Sequence, residues 1–92
     1  MPLTIEQGEA AAAIVQRLKD ADVALAGLIA RIADCVAGNA RIVRMAADLA
    51  DGTSIRADVE LTPEESATLL DGVRTLVEAK RQADVGALAA LG

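Results

Sequence analysis

Apolar side chains recur at alternating spacings of three and four residues along the first third of the chain. Eight consecutive positions keep this heptad rule, which places them along one side of a helix. They are Ala11, Ile14, Leu18, Ala21, Leu25, Leu28, Ile32 and Cys35. Thr4, followed by Gln7 three residues later, is typical of a helix start. The pattern predicts a long first helix that begins at about Thr4.

The end of this helix has two interpretations. Asn39, Ile42, Ala46 and Leu49 continue the heptad without a skip, which favours one helix over residues 4–50. Gly38-Asn39 favours a break at 38–39 and a separate helix over 41–50, because both residues adopt the left-handed conformation that ends helices. Asn39 is accordingly either a polar seam residue that fixes register and oligomer state or part of a turn. Gly52 is a stop in both cases.

The pattern changes after Gly52. Ile55, Ala57, Val59 and Leu61 alternate with polar residues, which predicts an extended segment over 53–61 that is either a plain connector or a strand paired with its copy in a second subunit. Thr62-Pro63-Glu64-Glu65 is typical of a helix start and predicts a second helix over 63–90. Its apolar seam is predicted to contain Leu69, Val73, Leu76, Ala83, Ala87 and Ala90.

The chain has little material for a core. It has 92 residues, with 21 alanines and no Phe, Tyr or Trp, so a single chain buries little apolar area against the entropy of ordering it. Val15 and Ile29 widen the first stripe beyond what one neighbour covers. We therefore expect an all-α protein, a single domain over 1–92, in which a long hairpin of two helices, or three if the first is broken, assembles into an oligomeric bundle. The expected oligomer interface comprises Ile14, Leu18, Leu25, Leu28, Ile32, Asn39, Ile42, Leu69, Val73 and Leu76.

The inventory of reactive groups is short. The chain has no His and no Tyr, and its one cysteine, Cys35, lies on the apolar seam, where a packing role is expected. Carboxylate pairs such as Asp20 with Asp22 lack the spacing of a metal loop. We expect no enzyme activity, no cofactor and no metal site. The net charge of −5 argues against binding a nucleic acid polymer. No uncharged run is long enough to span a bilayer, so a cytoplasmic protein without a membrane partner is expected.

Charge is unevenly distributed along the chain. Residues 31–56 carry four arginines and three aspartates, a net charge of +1, whereas residues 57–92 carry three basic and seven acidic residues, a net charge of −4. The two regions can pair internally or between subunits. Alternatively, the four arginines bind an external anion or an acidic partner. They are Arg31, Arg41, Arg44 and Arg56.

One short stretch resembles a known family. Residues 19–23, Lys-Asp-Ala-Asp-Val, with the following Leu25, resemble the first helix of small phage-encoded sponges for cyclic oligonucleotides. That family has aromatic residues near its ligands and this chain has none, so no binding site carries over. Two functional hypotheses follow. The first is a non-catalytic protein of helical self-assembly and protein–protein interaction, such as a phage accessory protein. The second is a small acidic inhibitor or sponge of a bacterial defence system that binds a protein or an anionic nucleotide through its arginines.

Overall fold

The computed structural model describes residues 4–91, so residues 1–3 and 92 of the predicted domain lie outside it. The chain forms two long helices with a small β-hairpin between them in sequence. The order is α1 (Ile5–Val36), β1 (Arg44–Asp48), β2 (Ser54–Asp58), α2 (Pro63–Leu91). The prediction of a mostly helical chain is confirmed. The all-α prediction holds only in part, because a pair of antiparallel strands replaces the carboxyl-terminal part of the first predicted helix.

Helix α1 begins where the sequence predicts. The backbone N–H of Thr4 donates to Oε1 of Gln7 at 2.9 Å, and the N–H of Gln7 donates to Oγ1 of Thr4 at 3.1 Å. This reciprocal arrangement satisfies two N–H groups that the first turn leaves without helical partners. The capping residues predicted from sequence therefore start the helix.

Helix α1 ends at Val36, so the prediction of one helix over 4–50 is wrong. Gly38 has φ +79°, its N–H donates to the carbonyl of Cys35, and the N–H of Asn39 donates to the carbonyl of Asp34. This is a Schellman motif, which satisfies the last carbonyls and turns the chain out of the helix. The interpretation of Asn39 as a register-fixing seam residue is wrong for the same reason, because Asn39 lies past the helix end.

The residues after this turn form a strand, so the alternative of a separate helix over 41–50 is also wrong. Strand β1 pairs antiparallel with β2, with Arg44 opposite Asp58 and Asp48 opposite Ser54. The extended segment predicted over 53–61 is present as β2, but its partner is β1 of the same chain. Val43, Met45, Ala47 and Leu49 alternate as a strand requires, while Ile42, Ala46 and Leu49 fit a heptad. The same ten residues therefore fit both the two-residue spacing of a strand and the heptad spacing of a helix.

Helix α2 begins with a second reciprocal cap. The N–H of Thr62 donates to Oε1 of Glu65 at 2.9 Å, and the N–H of Glu65 donates to Oγ1 of Thr62 at 3.1 Å. Pro63 occupies the first helical position, where its missing N–H costs nothing. The predicted start of the second helix is confirmed.

The two helices pack antiparallel, and α1 uses its predicted seam. All eight heptad positions of α1 from Ala11 to Cys35 are buried or half-buried, whereas Val15 and Ile29 beside them are exposed. On helix α2, Leu69 of the predicted seam is half-buried, but the later positions of that seam are exposed. Leu76 is 64% exposed and Val73 is 39% exposed, and the less exposed positions of α2 follow a neighbouring heptad: Ala67, Leu70, Arg74, Val77, Arg81, Asp84, Leu88 and Leu91. That heptad contains three charged residues, so a count of apolar positions misses it.

The molecule is a thin layer. Its principal extents are 53 × 34 × 15 Å, and the buried side chains of the described residues are Ile14, Cys35 and Ser66. Helix packs against helix and strand pairs with strand, but within residues 4–91 neither strand packs against either helix. The β-hairpin therefore extends from one end of the helical hairpin as a separate arm.

Candidate functional site

The β-hairpin arm, residues 43–59, has two chemically different faces. Side chains alternate between faces along a strand, and the register places Met45 with Ala57 and Ala47 with Ile55 on one side. The apolar face of the arm contains Val43, Met45, Ala47, Leu49, Ile55, Ala57 and Val59. Every residue of β1 and β2 is exposed, with Ile55 at 55%. This apolar face has no cover within the described chain.

The opposite face of the arm is polar and charged. Nε of Arg44 donates to Oδ1 of Asp58 at 3.1 Å across the two strands, and the exposure of both side chains limits what this ion pair contributes to stability. Asp48, Ser54 and Arg56 alternate on the same face. The arm is therefore amphipathic, with one face suited to water and the other suited to burial.

The turn at the tip of the arm is well defined. Oδ1 of Asp51 accepts from the hydroxyl of Thr53 at 2.6 Å and from its backbone N–H at 3.0 Å. These two hydrogen bonds, the hydroxyl bond being the larger effect, lower the pKa of Asp51. Gly52 has φ +89° and its N–H donates to the carbonyl of Leu49. A three-residue loop with a left-handed glycine is a favoured hairpin connection, which explains the local register.

The base of the arm is fixed to the first turn of α2. The N–H of Ile42 donates to Oγ of Ser66 at 2.7 Å, and the N–H of Leu61 donates to the carbonyl of Ile42 at 2.8 Å. Ser66 is fully buried. Sequence reasoning did not single out Ser66, because a lone serine within a helix gives no periodic signal. The anchoring contact means that the direction of the arm is set by the helices.

A second group of exposed apolar residues lies on the helices. Ile29 is 56% exposed and Val36 is 75% exposed, and with Val15 they follow one heptad position along α1. The outer stripe of α2 is defined by Val73, Leu76, Ala83, Ala87 and Ala90, all exposed. Single apolar residues on a surface are ordinary, whereas contiguous ones mark interaction sites. The outer stripe of α2, interrupted by Lys80, adds to the apolar face of the arm, whereas Val15 and Ile29 on α1 are separated by Asp22 at the same heptad position.

Ion pairs connect the two helices at their exposed edges. The guanidinium of Arg17 contacts Asp84 at 2.9 Å, and Nε of Arg81 donates to Asp22 at 2.7 Å. The hydrogen bond from Arg17 lowers the pKa of Asp84 and raises the pKa of Arg17 itself. Arg74 bonds Asp71 and Glu78 on its own helix, which raises its pKa. The hydrogen bonds from Thr62, its N–H first, lower the pKa of Glu65 at the helix cap. Each of these pKa shifts is therefore explained by an ion pair or a helix cap.

The predicted interface residues divide into three sets, and the tenth residue, Asn39, lies beyond the end of α1. Five of them lie between α1 and α2 of the same chain, where their contacts are intramolecular: Ile14, Leu18, Leu25, Leu28 and Ile32. Ile42 and Leu69 are half-buried near the base of the arm, while Val73 and Leu76 face outward. The last two stay available to a partner. The sequence did not distinguish the helix–helix seam within a chain from a seam between chains, because both require the same periodicity.

The predicted arginine cluster is spread over several elements. Arg31 lies on α1 and contacts Asp34 at 3.2 Å, and Arg44 on β1 contacts Asp58. Arg41 lies between α1 and β1, and Arg56 lies on β2 beside Arg44 on the polar face. Two of the four arginines already contact carboxylates of the chain. Binding of an external anion stays a prediction.

The part of the chain that the structure describes contains no pocket and no group of three potential metal ligands. Across residues 4–91, neither helix combines the length and the apolar character needed to cross a bilayer. The thiol of Cys35 is buried, as predicted, and the chain has no histidine to activate it. Comparison of the chain with protein-family models, with curated proteins and with solved structures finds no match in any of the three.

Proposed function

We propose that the protein is a non-catalytic interaction protein that assembles with copies of itself. The observation that carries the proposal is the uncovered apolar face of the arm. A lone two-stranded hairpin is marginal in water and needs either more strands or a second layer against its apolar face. The helices do not provide that layer within residues 4–91. A second copy of the same chain can supply the missing strands or layer, and it requires no other protein.

The helical hairpin supports the same proposal. Two helices in contact leave most of each surface open, and the exposed side chains here include Ile29, Val36 and Leu76. With three buried side chains among the described residues, the hairpin has much less core than a domain of this length requires for independent stability. Oligomerisation is one of the standard ways in which small chains compensate for a small core.

We propose a non-catalytic role because the chain offers few groups suited to catalysis. General acid–base and nucleophilic mechanisms need a group with a suitably shifted pKa beside a reacting centre. The carboxylates with lowered pKa, Asp51, Asp84 and Glu65, are held by turn, ion-pair and cap contacts. Their shifts are therefore explained by structure, and an interaction role is the simpler use of this surface.

Sedimentation of the wild-type chain tests the proposal. We expect a mass of at least twice 9.4 kDa, with dissociation on dilution. A single-chain mass at every concentration would contradict self-assembly. Leu76→Asp tests the outer stripe of α2: Leu76 is exposed in one chain, so the charge leaves the monomer intact but is costly in a desolvated interface. We expect a lower mass for this variant.

The matched control is Gln82→Asp, which adds the same charge to the same exposed helix at a position that is not three or four residues from any member of the outer stripe. We expect Gln82→Asp to keep the wild-type mass. Equal masses for both variants would remove the outer stripe of α2 from the interface. Circular dichroism of both variants verifies that the helices remain formed.

A further inference from the structure

We propose that β1 of one chain pairs antiparallel with β1 of a second copy, about a twofold axis at Ala46, to form a continuous four-stranded sheet. The inference rests on the proposed function, because it names the surface through which the chains assemble. The occupant of this edge is a second copy, and the reasons are the open backbone groups and the charge pattern of β1.

The backbone of β1 has an open edge. Leu49 donates to the carbonyl of Thr53, and Val59 donates to the carbonyl of Val43. The odd-numbered residues of β1 therefore point their N–H and C=O groups toward β2, and in an antiparallel ladder the even-numbered residues point theirs away. Arg44, Ala46 and Asp48 direct their backbone groups to the outer edge. Such an edge is a template for another strand unless it is blocked.

The sequence of β1 is complementary to itself when reversed. With Ala46 opposite Ala46 of the second copy, Arg44 lies opposite Asp48 of that copy, and Asp48 opposite its Arg44. Each facing pair of even-numbered residues exchanges two backbone hydrogen bonds. Opposite charges facing each other across strands are stabilising. The five donors of the Arg44 guanidinium allow it to keep Asp58 as a partner as well.

The same register aligns the apolar face. Met45 lies opposite Ala47 of the second copy, and Val43 lies opposite its Leu49, so the two apolar faces join on one side of the sheet. A shift of the twofold axis to Met45 would place Arg44 opposite Ala46 and lose both ion pairs. The charges of β1 therefore select the register centred on Ala46.

The outer edge of β2 is less suitable for the same pairing. A twofold axis at Arg56 would place two guanidinium groups directly opposite each other, which is destabilising. An axis at Ala57 would place Arg56 opposite Asp58 of the second copy, but the ladder would be shorter, because Ser54 would face Glu60, which has φ +43° and is not extended. Pairing of β1 with β2 of a neighbour is heterologous and closes only as a ring, whereas pairing of β1 with β1 closes at two chains.

Single cysteines report the twofold axis directly. In a Cys35→Ala background, Ala46→Cys places two thiols opposite each other at a Cα separation of about 5.5 Å, which suits a disulfide. We expect oxidised glutathione to convert this variant to a covalent dimer at least about tenfold faster than the matched control Arg56→Cys on the other edge. Equal rates, or a preferential link between Ala46→Cys and Arg56→Cys chains, would overturn the proposal.

Proline at the same two positions gives an independent test. Proline is tolerated in an edge strand where its missing N–H faces outward, so Ala46→Pro keeps the hairpin and removes a hydrogen bond needed for pairing. We expect Ala46→Pro to sediment at a lower mass than the wild-type chain and Arg56→Pro to keep the wild-type mass, with unchanged helical circular dichroism. A wild-type monomer would refute the proposed function and this inference together. A wild-type oligomer whose mass persists in Ala46→Pro would refute only the pairing of β1.

Discussion

At the scale of single residues, Ser66 and the charged positions of α2 are what the sequence did not reveal. Ser66 is fully buried and accepts the N–H of Ile42, while Arg74, Arg81 and Asp84 lie on the side of α2 that packs against α1. A polar residue can occupy such a position when a specific partner satisfies it. The partners of Ser66, Arg81 and Asp84 are distant in sequence, whereas those of Arg74 lie on α2 itself. The periodicity of apolar residues identifies none of these positions.

Ser66→Ala tests the anchor between the arm and α2. The substitution keeps the size of the side chain but leaves the N–H of Ile42 without its acceptor in a partly buried site, at a cost of about 1–2 kcal/mol. Urea unfolding followed by circular dichroism measures the loss. Thr68→Ala is the control: Thr68 is exposed and its hydroxyl donates to the carbonyl of Glu64, so we expect a change within about 0.5 kcal/mol. Equal losses in the free energy of unfolding would show that the hydrogen bond to Ser66 contributes no more to stability than an exposed contact does.

At the scale of elements, the starts of both helices and the seam of α1 were predictable, and the end of α1 was not. Thr4 with Gln7 and Thr62 with Glu65 form local motifs in which all partners lie within four residues. Residues 41–50 fit a heptad and an alternating pattern equally well. The residues on either side therefore decide whether this segment forms a helix or a strand. A left-handed Gly38 ends the helix and the turn at Gly52 returns the chain, which together give a hairpin.

Two glycine substitutions with opposite expected signs test this account. Gly38→Ala places a Cβ in a left-handed conformation, which costs about 1–2 kcal/mol. Gly27→Ala lies within α1, where a Cβ meets nothing within 4 Å and alanine is favoured by roughly 0.5–1 kcal/mol. We expect the free energy of unfolding to fall in the first variant and to rise in the second. A rise in both would mean that Gly38 does not end the helix as described.

At the scale of the whole molecule, composition was more informative than periodicity. A chain without aromatic residues and rich in alanine was expected to have a thin core, and the layer is 15 Å in its smallest dimension with three buried side chains among residues 4–91. The predicted helical bundle would cover the exposed apolar residues of the helices. The structure adds a second uncovered surface, the arm, which no heptad count anticipates. Both surfaces require cover from outside the chain, so folding and assembly are expected to be linked.

This linkage predicts that the melting temperature depends on protein concentration. If the folded state is a dimer and the unfolded state is a single chain, a tenfold rise in concentration stabilises the folded state by about 1.4 kcal/mol. For two chains of this length unfolding together, that is a rise of roughly 3–6 °C. Thermal denaturation followed by circular dichroism over a wide concentration range measures it. Ala46→Pro, which is expected to form a smaller assembly, serves as the control and should melt at a lower temperature that changes less with concentration. A wild-type melting temperature that is both high and constant on dilution would show that one thin layer is stable alone and needs no partner.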